Sequence, residues 1–173
     1  MSMKKSKIDN LIQEYLLEEG ILREKLPDPN SELDFGFIFS YPPGPKGLSM
    51  NVLKPKNKSF IIVAIRRQIP ESHIKALNSQ KNNKTLQFFT DIRKYFLIKE
   101  VFFQIDINNY RYEINDQLYL TKDGFISKDS FFKGIRRIYY CFTFSNLILK
   151  EYCSGKEIAS KEFSADFDLP LYS

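Results

Sequence analysis

Leu33-Asp34-Phe35-Gly36-Phe37-Ile38-Phe39-Ser40-Tyr41, followed at once by Pro42-Pro43-Gly44-Pro45-Lys46-Gly47, is the most legible stretch of this chain. Large apolar residues stand at every second position, at 33, 35, 37, 39 and 41. A period of two sends those side chains to one side of an extended backbone, so the stretch predicts a strand with one strongly apolar face. The turn after it has a separate cause. Three prolines remove ladder donors and two glycines admit positive φ, so the strand must stop there. Leu48, Met50 and Val52 then resume the alternation as a second strand.

Working outward, Lys54-Pro55-Lys56-Asn57-Lys58 reads as the next turn. Residues 59–66 form a nearly unbroken apolar run, which predicts a central or doubly covered third strand. Upstream, Ile8, Leu11, Ile12, Tyr15 and Leu16 recur at helical spacing, giving a helix over 5–19 that Gly20 closes. Residues 26–31 are a proline-stiffened loop. Downstream, Pro70 and Glu71 open a short helix, and the polar stretch 78–83 breaks it. A stronger helix follows, with Thr85, Phe88, Phe89, Ile92, Tyr95 and Phe96 as its buried stripe. Val101, Phe103, Ile105 and Ile107 make the fourth strand, and Asn108-Asn109 turns the chain. Tyr110, Tyr112 and Ile114 start the fifth, with a bulge expected at Asn115-Asp116 before Leu118 and Leu120. Ser127 caps a last helix that runs to about 154, where Gly155 stops it. The sum is an α+β domain: one twisted, mainly antiparallel five-stranded sheet with helices packed on it, in the order α-β-β-β-α-β-β-α. Residues 1–155 form the single domain, and 156–173 are a tail in which acidic and apolar residues alternate.

Composition narrows the function classes. Hydrophobic residues make up 43% of the 173 and aromatics 15%, too apolar for a disordered chain. Only 7 glycines are present, and Gly44 and Gly47 lie inside a proline turn, so neither a Rossmann nor a P-loop signature is formed. Cys141 and Cys153 both fall in the last helix, roughly 18 Å apart along its axis and too far for a disulfide, which points to a reducing compartment. Asp9, Asn10, Gln13 and Glu14 interrupt the basic N-terminus, so no signal-peptide core is expected, and no run approaches the roughly 20 apolar residues of a membrane span. The expectation is a cytoplasmic protein with no membrane association and no cofactor.

Chemistry-bearing residues are sparse. His73 is the single histidine and lacks neighbours at metal-ligand spacing. Cys141 sits among Tyr139, Tyr140 and Phe142, an apolar setting that raises a thiol pKa and makes it inert. Asp34 and Asp106 oppose apolar neighbours on their strands, and only convergence of those strands would make a carboxylate pair of them. An enzyme is therefore not expected.

Two surface features remain. From Lys54 to Lys99 there are eleven Lys/Arg against Glu71 and Asp91, a surplus of nine positive charges in a chain of net +5. Lys54, Lys56, Lys58, Arg66, Arg67, Lys81, Lys84, Arg93 and Lys94 are the candidates for an electropositive patch. The last helix carries Phe131, Ile135, Ile138, Phe142, Leu149 and Cys153 broadly along one side, and Phe132, Tyr139, Tyr140 and Phe144 widen that arc. A helix apolar around so much of its girth is either deeply buried or shared with another chain, as a homodimer seam or a client groove. Phe132, Tyr139 and Tyr140 are the candidates for protein contact, with Arg136 and Arg137 fixing orientation.

The 33–39 strand, the 42–45 turn and the helix–strand order after it resemble the type III secretion chaperone-like fold across residues 5–154. The chain is also similar to an uncharacterised conserved family of archaeal proteins given that fold. Secretion chaperones are compact, usually dimeric, and bind unfolded or extended segments of other proteins. The resemblance thus implies a non-enzymatic interaction module, chaperone- or adaptor-like, that buries a partner's apolar segment. The alternative is a nucleic-acid-associated protein using the basic 54–99 segment.

Overall fold

The computed structural model describes residues 7–27 and 32–155; the predicted tail at 156–173 and the first two residues of the predicted first helix lie outside them. Ten elements follow one another: α1 (Lys7–Glu18), β1 (Leu22–Lys25), β2 (Leu33–Tyr41), β3 (Leu48–Pro55), β4 (Phe60–Gln68), α2 (Glu71–Asn78), α3 (Lys84–Ile98), β5 (Phe102–Asp106), β6 (Arg111–Tyr119) and α4 (Lys128–Cys153). The six strands form one antiparallel sheet in the order β1-β2-β3-β4-β6-β5.

The sheet has six strands where five were expected. The additional one, β1, reads Leu-Arg-Glu-Lys and has no apolar alternation of its own. It is extended because it borders β2, with Leu22 opposite Phe39 and Lys25 opposite Phe37. The expected turn at 54–58 also begins later, because Lys54 and Pro55 belong to β3. The Lys54 ammonium is buried at the strand end, where it donates to the Pro55 and Lys58 carbonyls at 2.9 and 2.6 Å and lies 3.3 Å from the Asp34 carboxylate. The bulge expected at Asn115-Asp116 is absent: the β4–β6 ladder runs unbroken from Phe60↔Tyr119 to Gln68↔Arg111. Asp116 is a polar residue on the core side of a regular strand, and its carboxylate accepts from Arg137 at 3.0 Å.

Strand register places Phe37 opposite Val52, Val52 opposite Val63, Ile65 opposite Ile114, and Ile105 opposite Tyr112, all on one face. That face is the core. Phe35, Phe37, Phe39, Met50, Val52, Ile61 and Val63 are buried there beneath α1 and α4. α4 crosses β6 and β4 and is flanked by α2 and α3. A Cβ added at Gly134 would sit 2.5 Å from Leu118, so the glycine lets helix and sheet approach closely. Tyr112 and Ser145 hydroxyls share a hydrogen bond of 2.6 Å, and Tyr95 stacks on Phe144 with centroids 3.7 Å apart. The broad apolar arc of α4 is thus largely absorbed within the chain. Among the described residues, every helix lies on this one side of the sheet.

Phe37 is fully buried at the centre of this layer. Truncation to alanine removes a phenyl ring from a close-packed site, so Phe37→Ala should lower the free energy of unfolding by about 3–5 kcal/mol. Urea titration of both proteins checks this; a loss below about 1 kcal/mol would mean that the phenylalanine layer does not carry the fold.

Candidate functional site

The end of β2, the proline turn after it, the end of α1 and the first turns of α4 meet around a hollow of about 330 Å³. Tyr41, Pro43, Phe132 and Arg136 line it together with Ile21 and Lys128. Each wall has a local cause. The 42–47 turn ends β2 so that Tyr41 is left half-buried at its tip. Ser127 accepts a hydrogen bond from the Ser130 amide at 3.1 Å, which starts α4 at this point. Glu18 and Glu19 close α1 and grip the Lys128 ammonium at 2.8 and 2.7 Å. The Tyr15 hydroxyl donates to the Ile126 carbonyl at 3.0 Å, tying α1 to the approach of α4.

Aromatic rings continue beyond the hollow. Tyr41 meets Tyr139 edge-on at 5.4 Å, and Tyr139 lies 5.7 Å from Tyr140, which is 40% exposed. Burial pushes the Tyr41 phenol above its usual range, and the nearby Arg136 guanidinium offsets only part of that rise. Neighbouring helix positions diverge by about 100°, and Arg137 accordingly turns away to Asp116 while Arg136 faces the hollow.

The structure therefore gathers four of the five sequence-predicted contact residues. Phe132 is a buried wall rather than a free contact, Arg136 and Tyr139 are half-buried, and Tyr140 is exposed. Arg137 instead supports the core. Tyr41, Pro43 and Lys128 escaped notice, because the proline turn signals only a strand end and not what packs against it.

The basic residues are dispersed. Lys54 is buried and tied to carbonyls, so it is withdrawn from any patch. Lys56 and Lys58 sit just before β4, whereas Lys81 and Lys84 follow the helix beyond its far end. The nine residues of β4 separate the two groups by roughly 30 Å. Arg66 and Arg67 point to opposite faces of that strand. Arg66 is bonded to Glu113 at 3.0 and 2.7 Å, and the Arg67 guanidinium lies over the Phe142 ring. Arg93 and Lys94 are exposed on α3. Asp34 and Asp106 lie on β2 and β5, four strand spacings or at least about 19 Å apart, and at opposite ends of the sheet. His73 is half-buried, and among the described residues no group of three His, Cys, Asp or Glu could hold a metal ion. No described helix is long and apolar enough to cross a membrane.

The architecture is that of a small one-sheet α+β protein with its helices gathered on one face. The chain belongs to the family described as uncharacterized conserved protein (DUF2299), which matches residues 8–149. It is similar in fold to the crystal structure of an uncharacterized protein from Methanothermobacter thermautotrophicus, with a TM-score of 0.71 at 22% identity over 82% of this chain and 96% of that one. No curated protein matches it.

Two titrations follow from the packing. Burial raises the Asp116 carboxyl above its ordinary value of 3.8, and Arg137 opposes the rise. A carboxyl with a raised folded pKa holds its proton more tightly when folded. Its contribution to stability is therefore most favourable at low pH and declines as pH climbs through the raised value. Urea unfolding between about pH 3 and pH 7 should show wild type losing stability relative to Asp116→Asn over that climb; parallel curves would contradict the assignment. Burial likewise pushes the Cys141 thiol to about 12, and Cys153 also upward. A thiol-reactive dye at mild alkaline pH should modify the half-buried Cys153 first and Cys141 only on unfolding. Equal rates in the native protein would overturn this order.

Proposed function

We propose that this protein is a non-enzymatic interaction module, chaperone- or adaptor-like, that takes an extended segment of a partner protein at the Tyr41–Phe132–Arg136 hollow. One observation carries the reading: Tyr41, Pro43, Phe132 and Arg136 surround a single hollow, with the Tyr139–Tyr140 pair beside it. Aromatic side chains and arginine dominate binding hot spots, because rings bury large area at low rotamer cost and the guanidinium offers a planar fork of donors. The hollow has room for one or two apolar side chains. Lys128 is held by Glu18 and Glu19, and Asp129 by Lys133 at 2.8 Å, so Arg136, which leans on the Tyr41 hydroxyl, is the lining cation that meets a carboxylate of the segment.

The likeness to secretion chaperones is part of this proposal. It rests on a sheet preceded by one helix and closed by a long one. The chain departs from the expected order by its added β1, while the break at 78–83 divides the middle helical region into α2 and α3 where the polar stretch predicts it. Two free thiols suit a reducing, cytoplasmic setting. The nucleic-acid reading gains no support from the dispersed basic residues.

Affinity capture by the full chain from lysate of its native host, with and without nuclease, tests the proposal. Wild type should retain a distinct partner after nuclease treatment, and Tyr140→Asp and Arg136→Glu should each reduce that capture at least about tenfold. Their melting curves should match wild type, because neither side chain is fully buried. Capture that vanishes with nuclease, or that both variants retain, would reject the site.

A further inference from the structure

The sheet face opposite the helices carries an unanswered requirement. β4 is apolar on both sides: Ile61, Val63 and Ile65 enter the core, while Phe60, Ile62 and Ala64 point the other way. A continuous apolar strand is the mark of a sheet covered on both faces. Among the described residues nothing helical covers the second face, and Ile38, Leu53 and Ile62 are half-buried without joining the core. We propose that a second copy of this chain covers that face, giving a two-fold dimer by sheet-on-sheet packing.

Register shows why a second copy fits. Two rows cross the open face. One runs Gly36–Leu53–Ile62–Gln117, the other Ile38–Asn51–Ala64–Asn115–Phe102. From β2 to β5 neither row contains an ionisable side chain; on β1 the second row ends at the exposed Glu24, opposite Ile38. On β4, β6 and β5 the charges flanking the rows are already paired, Arg66 with Glu113 at 2.7 Å and Arg111 with Asp106 at 3.1 Å. A patch with an uncharged centre and a rim paired along β4, β6 and β5 can face its own image without opposing like charges at its centre, as an isologous interface requires. The half-buried Asn51, Asn115 and Gln117 amides can donate and accept, so each can pair with the same residue types across a two-fold axis.

Area agrees. Six strands about 4.8 Å apart span about 24 Å between the edge axes; the nine-residue strands β2, β4 and β6 are about 30 Å long, and the edge strands β1 and β5 about half that. Their footprint of roughly 700 Å² approaches the ~800 Å² per partner of a standard stable interface. Leu26 already covers Gly36, where an added Cβ would lie 2.5 Å from its Cδ1, and a second sheet would settle about 10 Å from the remaining face, over Leu53, Ile62 and Asn51.

Sedimentation velocity and light scattering on the full chain, from about 1 to 200 µM, test this. The expected particle has twice the mass of the 20.4 kDa chain. Ile62→Lys and Asn51→Lys each place a cation in the uncharged centre and should weaken association at least a hundredfold. Asn51 is polar and half-buried, so its substitution keeps the test valid even where Ile62→Lys perturbs folding; far-UV circular dichroism of both should match wild type. Tyr140→Asp, on the helix side, should leave the dimer intact, which separates failure here from failure of the client site. A monomer across that range, with the face bare or covered by the chain's own residues outside the described set, would overturn the proposal. So would a dimer that neither lysine substitution weakens.

Discussion

The position of α4 across β4 and β6 governs most of what this molecule can do. It is set by three contacts of different kinds. Gly134 allows close approach at Leu118, the Arg137–Asp116 pair spans the middle, and the Tyr112–Ser145 hydrogen bond closes the far part. An unpartnered buried carboxylate or hydroxyl costs about 1–3 kcal/mol or more, so the two polar contacts penalise any slip of the helix along the sheet. With α4 held there, its first turns must lie beside Tyr41 and Pro43, which makes the hollow. Cys141 is carried into the interior by the same placement.

Local periodicity made much of the fold legible. The alternation at 33–41 matches β2 residue for residue, and Ser127, Gly155 and the stripe from Phe88 to Phe96 locate the last two helices closely. What escaped was information that is not local. β1 is a charged tetrapeptide made extended by its neighbour, and Lys54 resembles a turn lysine until the carbonyls around it are seen. Asp116 mimics a bulge signal because a lone acid in an apolar strand looks like a defect; its partner lies twenty-one positions away on another element.

The candidate site was legible in part, for a comparable reason. Helical spacing shows that 131–144 is apolar over a wide arc but not which part of the arc meets the sheet. Phe132 and Tyr140 lie on the same arc, yet one is 8% exposed and the other 40%. Arg136 and Arg137 are equivalent in sequence, and only the position of Asp116 separates an exposed guanidinium that reaches a buried carboxylate from a group lining the hollow. The basic surplus misleads in the opposite direction. Charges close in sequence between 54 and 99 are spread by the fold over both ends and both faces of β4.

The two faces of the sheet carry different demands, and these can be met together. The hollow opens on the helix side, while the uncharged centre lies on the side without helices. Pairing through the open faces would turn both helical layers outward and leave both hollows free. A dimer of that form would present two identical sites to one long client or to two clients. Two weak contacts on a shared rigid body can exceed either alone by about 10²–10⁴ when the client spans both. A hollow with room for only one or two side chains is weak by itself, so holding an extended segment would depend on such doubling. The open face and the aromatic hollow then become two parts of one requirement, in which a modest site gains affinity through the symmetry of the particle that carries it.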